Sequence, residues 1–265
     1  MNKYIGFFRM KIERRARWDK VWLPLDILLR YVEDVYWRIK GFTVIECFGD
    51  SHVKVMRRLN WAAREHDLRF RTISVMGATA YGVVNYGSRS GARETYEKRL
   101  KNINKNNKAL VMLGEIDAGF LIWSLAKKKG LSVEAVLKET VDRYVRFLSY
   151  VKNMCNDVYV CSAPLPTVDD GEKDPGYLEV RGSIQVSKKE RTDMTLKFNE
   201  TVQKSCKLLD IIYVDLDDLS IDKTTGLVKR SLINPSGLDH HYEENAFINI
   251  LQNRMLQMNI IRGRL

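Results

Sequence analysis

The chain has 265 residues, of which 29% are charged and 45% hydrophobic, and its formal net charge is +11. This composition is typical of a folded protein with a sizeable core and excludes a disordered chain. The apolar runs are shorter than the roughly 18 residues that a membrane-spanning helix needs, and the N-terminus lacks the apolar run and cleavage site of a secretory signal. We therefore expect a cytoplasmic protein that is at most peripheral to a membrane.

Positive charge is concentrated in two segments, 1–20 and 89–108, each with seven basic and two acidic residues. Such segments suit anionic partners, so residues 1–20 are a candidate contact with an anionic surface or a membrane periphery. The sequence shows no zinc-finger spacing and no basic–aromatic RNA-binding signature, which disfavours a nucleic-acid partner.

The four cysteines have no C-x-x-C spacing and are too sparse for a disulfide framework. We expect them to be small buried side chains in a reducing compartment. They are Cys47, Cys155, Cys161 and Cys206.

Residues 1–40 read as a basic helical extension, with apolar residues at helical spacing over 22–36, and 41–265 as one domain. Strands are predicted, in chain order, at 42–48, 69–75, 109–113, 158–163 and 211–215. Helices are predicted at 53–65, 92–103, 120–129, 133–154 and 192–209, with Ser132 as an N-cap. This alternation predicts an α/β fold, a three-layer α/β/α sandwich with a mainly parallel sheet of flavodoxin-like type.

Two irregular stretches, 164–176 and 220–237, interrupt the alternation. The first is rich in proline and acidic residues, and the second holds a probable hairpin turn at Thr225-Gly226. Both follow strand ends, where open α/β sheets place their ligand sites.

Ser51 stands where the first predicted strand meets a helix, in the run Gly49-Asp50-Ser51-His52. A turn there exposes a hydroxyl at the carboxyl edge of the sheet, beside backbone N–H groups suited to an oxyanion. The alternative is an ordinary helix N-cap. The α/β-hydrolase elbow is disfavoured, because its G-x-S-x-G pattern needs glycine where Val53 stands.

A serine nucleophile needs a histidine base and a carboxylate that orients it. Asp239-His240-His241 follows the last predicted strand, and alternation along an extended segment would direct Asp239 and His241 to one site and His240 elsewhere. The alternatives are a polar turn or a metal site. For a metal site the run supplies too few converging ligands, and no other histidine-rich segment exists.

These motifs together resemble the SGNH, or GDSL-like, hydrolases over roughly residues 42–250. The matching runs are Gly49-Asp50-Ser51-His52, Gly77 within Met76-Gly77-Ala78-Thr79-Ala80-Tyr81-Gly82, Gly114-Glu115-Ile116-Asp117, and Asp239 with His241. The resemblance implies that Ser51 attacks an ester carbonyl, that His241 acts as base and that Asp239 orients it. It also implies an oxyanion hole built from the backbone N–H groups of Ser51 and Gly77. We expect neither a cofactor nor a metal.

The chain departs from the family pattern at two places. The family has Asp-x-x-His, whereas His241 comes two residues after Asp239; Tyr242 favours His241 as base, and His240 stays possible. Ile116 stands where the family has an oxyanion-binding asparagine, a loss that typically costs about 10²–10³ in rate. Glu115 and Asp117 are candidates for binding substrate hydroxyls, or else a pair of turn carboxylates.

The Gly-Glu-Ile-Asp and Gly-Ala-Thr-Ala-Tyr-Gly runs look similar to a branch of this family that occurs with polysaccharide-modifying proteins. The implied reaction is hydrolysis or transfer of an acyl group, most simply acetyl, on a carbohydrate through an acyl-enzyme. The alternative is a catalytically weak module of the same fold that binds an anionic glycan or a membrane surface, and Ile116 is the feature that favours it. The sequence does not indicate an oligomeric state.

Overall fold

The computed structural model describes residues 31–33, 35–37, 39–62, 68–104, 107–170, 185–235 and 239–261. The chain divides into two units, Met1–Thr43 and Val44–Leu265. In the first unit, the described backbone is helical at 31–33, 35–37 and 39, with Trp37 buried and Tyr31 and Ile39 exposed. The predicted anionic contact of residues 1–20 and most of the predicted 22–36 helix lie outside the described residues.

A five-stranded sheet with the order β2-β1-β3-β4-β5 lies at the centre of the second unit. Its strands are β1 (Thr43–Gly49), β2 (Leu68–Ser74), β3 (Lys108–Met112), β4 (Val158–Cys161) and β5 (Ile212–Val214). β1 pairs with β3, β3 with β4 and β4 with β5, all in parallel. The strand order reverses between β1 and β3, so these two neighbouring strands flank the switch point where open α/β sheets bind ligands.

Helices connect and cover these strands. They are α1 (Leu59–Ala62), α2 (Ala92–Leu100), α3 (Ile122–Lys129), α4 (Val133–Met154), α5 (Lys188–Leu208), α6 (Asp217–Ser220) and α7 (Glu244–Gln257). α4 has the predicted bounds, and the Ser132 hydroxyl accepts the N–H of Ala135 as the predicted N-cap. A two-stranded antiparallel pair, β6 (Ile221–Asp222) and β7 (Leu227–Val228), turns at Gly226, which confirms the hairpin.

Both faces of the sheet carry a hydrophobic core. Along β3, Ala109 and Val111 face one core while Leu110 and Met112 face the other, as the period of two requires. The first core packs α2 to α5, including Tyr96, Tyr144 and Phe198, and the second packs α7 and the segment after β1. The predicted three-layer α/β/α fold is thereby confirmed.

Apart from shifts of a few residues at element ends, two of the differences from the sequence prediction concern the candidate site. The helix predicted at 53–65 is a 3₁₀ helix over Ser51–Arg58, which continues into α1. Helix α7 was not predicted, although Phe247, Leu251 and Met255 recur every four residues and are buried on one side of it. This omission matters because α7 follows the Asp239–His241 segment and lines the candidate site.

The four cysteines all lie among the described residues, and each is buried with a free thiol, as predicted. In the described part of the chain, none of the helices combines the length and apolarity that crossing a bilayer would require.

Candidate active site

Ser51 begins the 3₁₀ helix directly after β1 and the capping residue Asp50. The Asp50 carboxylate accepts the backbone N–H of His52 at 2.9 Å, which fixes the first turn of this helix. Asp50 is buried, whereas Ser51 is half-buried. The serine hydroxyl therefore stands at the carboxyl edge of the sheet on a backbone that its neighbour holds in place.

Gly49 is required at the end of β1 by close packing. A Cβ atom there would lie 2.4 Å from the carbonyl oxygen of Met112 and 3.0 Å from the Cβ atom of Val53. Met112 is the partner of Gly49 in β3, so the obstacle is the backbone of the neighbouring strand. The missing side chain lets the ends of β1 and β3 approach each other.

The imidazole of His241 contacts the Ser51 hydroxyl. Its Nε2 atom lies 2.7 Å from the Ser51 Oγ atom, and its Nδ1 atom is hydrogen-bonded to the Asp239 carboxylate. The same carboxylate accepts the backbone N–H of His241 at 2.9 Å. When Nδ1 donates its proton to Asp239, the lone pair of Nε2 faces the serine, as a general base requires.

The Asp239 carboxyl is kept ionised by its partner. Partial burial acts to raise its pKa, but the hydrogen bonds from the backbone and ring of His241 outweigh this and lower the pKa below its usual value. The negative charge is therefore present to hold the imidazole and to stabilise it when it is protonated.

Tyr242 and Thr167 fix the segment that carries the histidine. The Tyr242 hydroxyl, buried in the core, accepts the backbone N–H of Leu165 at 2.7 Å. The Thr167 hydroxyl donates to the backbone carbonyl of His240, also at 2.7 Å. The loop after β4 thus holds the Asp239–His241 segment against the end of the sheet.

His240 does not point away from the site, so the alternation expected for Asp239-His240-His241 is wrong. Its ring centroid lies 4.2 Å from that of His241 and 5.5 Å from that of His52. The chain bends at His241 and is not an extended strand there, so successive side chains do not alternate between two sides. His240 is therefore close to the proposed base, and its ring packs beside it.

His52 is a site residue that the sequence analysis did not assign. It is buried, its Nδ1 atom lies 3.1 Å from an Asp50 oxygen, and its ring centroid lies 4.5 Å from that of His241. The sequence feature that could have indicated a role for His52 is its position directly after Ser51. One nitrogen from each of His52, His240 and His241 lies within 4.8 Å of the others, a spacing that could hold a metal ion.

The loop after β2, which carries Gly77, is attached to the Ser51 turn. The Val75 N–H donates to the carbonyl of Gly49 at 2.9 Å, and the Ser74 hydroxyl donates to the carbonyl of Asp50 at 2.8 Å. Gly77 is exposed and has a φ of +73°, a conformation that favours glycine. The two residues that attach the loop to the Ser51 turn come directly before Met76 and Gly77 in the chain, and the role of Gly77 as an oxyanion donor stays a prediction.

Asp117 is completely buried, which favours the alternative of a turn carboxylate over the binding of substrate hydroxyls. Its two oxygens accept the backbone N–H groups of Ala80 at 2.7 Å and Tyr81 at 2.9 Å. Burial raises its pKa to about 7, although these two hydrogen bonds act in the opposite direction. Asp117 thus ties the Gly77 loop to the end of β3.

Glu115 also faces the interior, and only 4% of it is exposed. One oxygen of its carboxylate and one ligand atom each of Asp50 and His52 all lie within 4.8 Å of one another. Among the described residues, this is the second cluster whose spacing could hold a metal ion. The burial of Glu115 favours the alternative of a structural carboxylate over a contact with substrate hydroxyls. Glu115 lies beneath the Ser51 turn.

An open cavity of about 250 Å³ adjoins the serine. It was not anticipated from the sequence because α7 supplies part of its wall. Its lining residues are Ser51, His52, Lys54, Val55, Asn234, Asp239, His241, Tyr242, Glu244 and Phe247.

Several solved structures of other proteins have a fold similar to that of this chain. The chain is similar to an acetylxylan esterase from Geobacillus stearothermophilus, with 14% identity and a TM-score of 0.52, over 85% of this chain and 100% of that one. A catalytic mutant of that esterase, with a serine replaced by alanine, gives 13% identity and a TM-score of 0.54, over 84% and 97%. A GDSL-like lipase from Bacteroides thetaiotaomicron gives 12% identity and a TM-score of 0.51, over 82% and 87%.

This is the fold of the GDSL-like hydrolases. No protein-family model matches the chain, and no curated protein matches it either. In this GDSL-like fold, the residue after Glu115 is Ile116, half-buried and in a helical conformation with a φ of −63°. Its hydrocarbon side chain has no group that could donate to an oxyanion.

Proposed function

We propose that this protein is a serine esterase that removes an acyl group, most simply acetyl, from a carbohydrate. The observation that carries the proposal is the 2.7 Å contact between the Nε2 atom of His241 and the Ser51 hydroxyl, with Asp239 on the other ring nitrogen. The GDSL-like fold shared with an acetylxylan esterase supports it and suggests the substrate class.

The reaction proceeds through an acyl-enzyme. Ser51 Oγ attacks the ester carbonyl while its proton passes to His241 Nε2, and Asp239 stabilises the imidazolium. The backbone N–H groups of Ser51 and Gly77 are the proposed donors to the oxyanion. His241 then gives its proton to the departing sugar oxygen, which breaks the ester bond and leaves the acyl group on Ser51.

Water is the proposed acceptor of the acyl group. About 32% of the His241 side chain and 45% of the Asp239 side chain are exposed, so solvent reaches the base. His241 takes a proton from a water molecule, whose oxygen attacks the acyl carbonyl. The bond between the acyl carbon and Ser51 Oγ then breaks as His241 returns its proton to that oxygen, which releases the acid and restores Ser51. This exposure favours hydrolysis over transfer to a second sugar hydroxyl.

The test replaces the nucleophile. We expect Ser51→Ala to abolish release of 4-nitrophenol from its acetate ester and of acetate from acetylated xylo-oligosaccharides. Wild-type protein should react with a fluorophosphonate probe at Ser51. The matched control is Ser205→Ala on α5, whose hydroxyl donates to the Thr201 carbonyl and which should keep both activities. Equal hydrolysis by wild type and Ser51→Ala would contradict the proposal.

The second candidate is a module of this fold that binds a glycan with little turnover. Ile116 favours it, because the missing donor weakens transition-state stabilisation. Binding of an acetylated oligosaccharide by calorimetry, with neither probe labelling nor acetate release in wild type, is the outcome that would support this candidate.

A further inference from the structure

We propose that His52, His240 and His241 bind a divalent transition-metal ion of the zinc class, and that the bound ion inhibits the enzyme. One nitrogen of each ring lies within 4.8 Å of the other two. Three histidines with an open fourth position are a common ligand set for zinc, and imidazole also suits copper and nickel. The Asp239–His241 run alone holds only two histidines, and the turn after β1 supplies the third.

Two of the rings are already oriented in the way that metal-binding histidines are. The Nδ1 atom of His52 lies 3.1 Å from an Asp50 oxygen, and the Nδ1 atom of His241 is hydrogen-bonded to Asp239. Histidines that bind metals usually donate their second ring N–H to a carboxylate in this way, which fixes the tautomer and raises the basicity of the other nitrogen. Nε2 is therefore the coordinating atom proposed for both rings.

The surroundings also suit a cation. The carboxylates of Asp50 and Glu115 lie beside His52, and that of Asp239 lies beside His241. The cavity beside Ser51 is lined by His52 and His241, so it gives an ion a path from solvent. Metal–nitrogen bonds of about 2.0–2.1 Å would need the rings to move together by a small amount.

Occupation of the site would stop ester hydrolysis. The Nε2 lone pair of His241, which faces Ser51 at 2.7 Å, cannot bind a metal ion and accept the serine proton at the same time. Inhibition is the part of this inference that rests on the proposed function. Binding of the ion does not depend on it.

The binding test uses full-length protein without a histidine tag, freed of metal by a chelator. Isothermal titration with zinc chloride should show one ion per chain, and cobalt(II) should give the visible absorption of a tetrahedral site. His52→Ala and His240→Ala should each weaken zinc binding by about tenfold or more. His240 is only half-buried, so we expect His240→Ala to fold. It therefore still tests the site if His52→Ala, a change at a buried position, does not fold.

Two control variants separate the metal site from the proposed function. His66→Ala leaves the three clustered histidines in place and should bind zinc as wild type does. Ser51→Ala, inactive if the esterase proposal is right, should also still bind. Equal zinc affinity in wild type, His52→Ala and His240→Ala, or an absence of stoichiometric binding in wild type, would overturn the site.

The inhibition test measures hydrolysis of 4-nitrophenyl acetate by wild-type protein at zinc concentrations that fill the site. Activity should fall as the site fills and return when a chelator is added, and His240→Ala should need about tenfold more zinc for half inhibition. A rate that stays constant at full occupancy overturns the inhibitory role. If the protein has no esterase activity at all, the proposed function fails and the calorimetric result still decides the metal site.

Discussion

The Nε2 atom of His241 lies 2.7 Å from the Oγ atom of Ser51, although 190 positions separate the two residues. The serine is placed by the end of β1, and the histidine by a segment fixed to the loop after β4 through Thr167 and Tyr242. Each residue is therefore held by its own part of the sheet edge, and their contact follows from the parallel order of the strands.

His241→Ala should reduce kcat for ester hydrolysis by about 10³-fold or more, because the Ser51 proton then has no acceptor. Steady-state kinetics with 4-nitrophenyl acetate measures this loss, and circular dichroism checks the fold. The comparison variant is His240→Ala, which removes the neighbouring ring 4.2 Å away. If His240→Ala shows the larger loss of kcat, then His240 is the base.

Much of the layout could be predicted because local patterns in the chain agree with the fold. The short strand-like runs, such as the apolar run 109–113, and the N-cap at Ser132 predicted α/β elements in the right order. The run Gly49-Asp50-Ser51 at a strand end pointed to the serine. These signals work because each depends on a few neighbouring residues.

Other features could not be predicted because they depend on contacts between distant residues. The burial of Asp117 under the Gly77 loop and the approach of His52 to His240 appear only when the ends of three chain segments meet. An exposed and a buried carboxylate look the same in a sequence. The sequence therefore could not decide between substrate binding and turn carboxylates for Glu115 and Asp117.

Ile116→Asn should raise kcat by about tenfold or more. The substitution introduces an amide where the family resemblance implies an oxyanion-binding asparagine, and loss of such a donor typically costs about 10²–10³ in rate. The measurement is kcat on an acetylated xylo-oligosaccharide, with Ile116→Val as the matched control, since valine also lacks a donor. A gain of the same size in both variants would show that packing and not the amide is responsible.

Gly49→Ala should destabilise the protein by about 1–3 kcal/mol, as overpacking does. The new Cβ would meet the Met112 carbonyl at 2.4 Å, and this backbone atom belongs to the neighbouring strand and cannot turn aside. Urea denaturation gives the free energy of unfolding, and esterase activity should fall as well because the Ser51 turn shifts.

Gly119→Ala is the matched control for that substitution. Its Cβ would lie 3.7 Å from a Glu115 oxygen, an ordinary contact, within a helical turn. We expect a change within about 1 kcal/mol, in the stabilising direction because alanine favours helix. Similar losses from both substitutions would mean that the close approach of β1 and β3 is not what requires Gly49.

Asp117 should make the protein less stable as the pH rises from about 5 to about 8. Burial raises its folded-state pKa from 3.8 to about 7, so its contribution to stability is full below the unfolded pKa and is lost as the pH rises through about 7. The rise sets an upper bound of about 4 kcal/mol on the whole loss between about pH 4 and pH 7, of which about 3 kcal/mol falls above pH 5. Chemical denaturation across this pH range measures it.

The variant that isolates this effect is Asp117→Asn, which cannot ionise. It should be less stable than wild type at the lower pH, because its NH₂ group would face one of the backbone N–H groups of Ala80 and Tyr81. Its stability should nevertheless depend less on pH than that of wild type. Asp142→Asn, at an exposed position of α4, should follow the wild-type curve. Parallel curves for wild type and Asp117→Asn would show that another group causes the pH dependence.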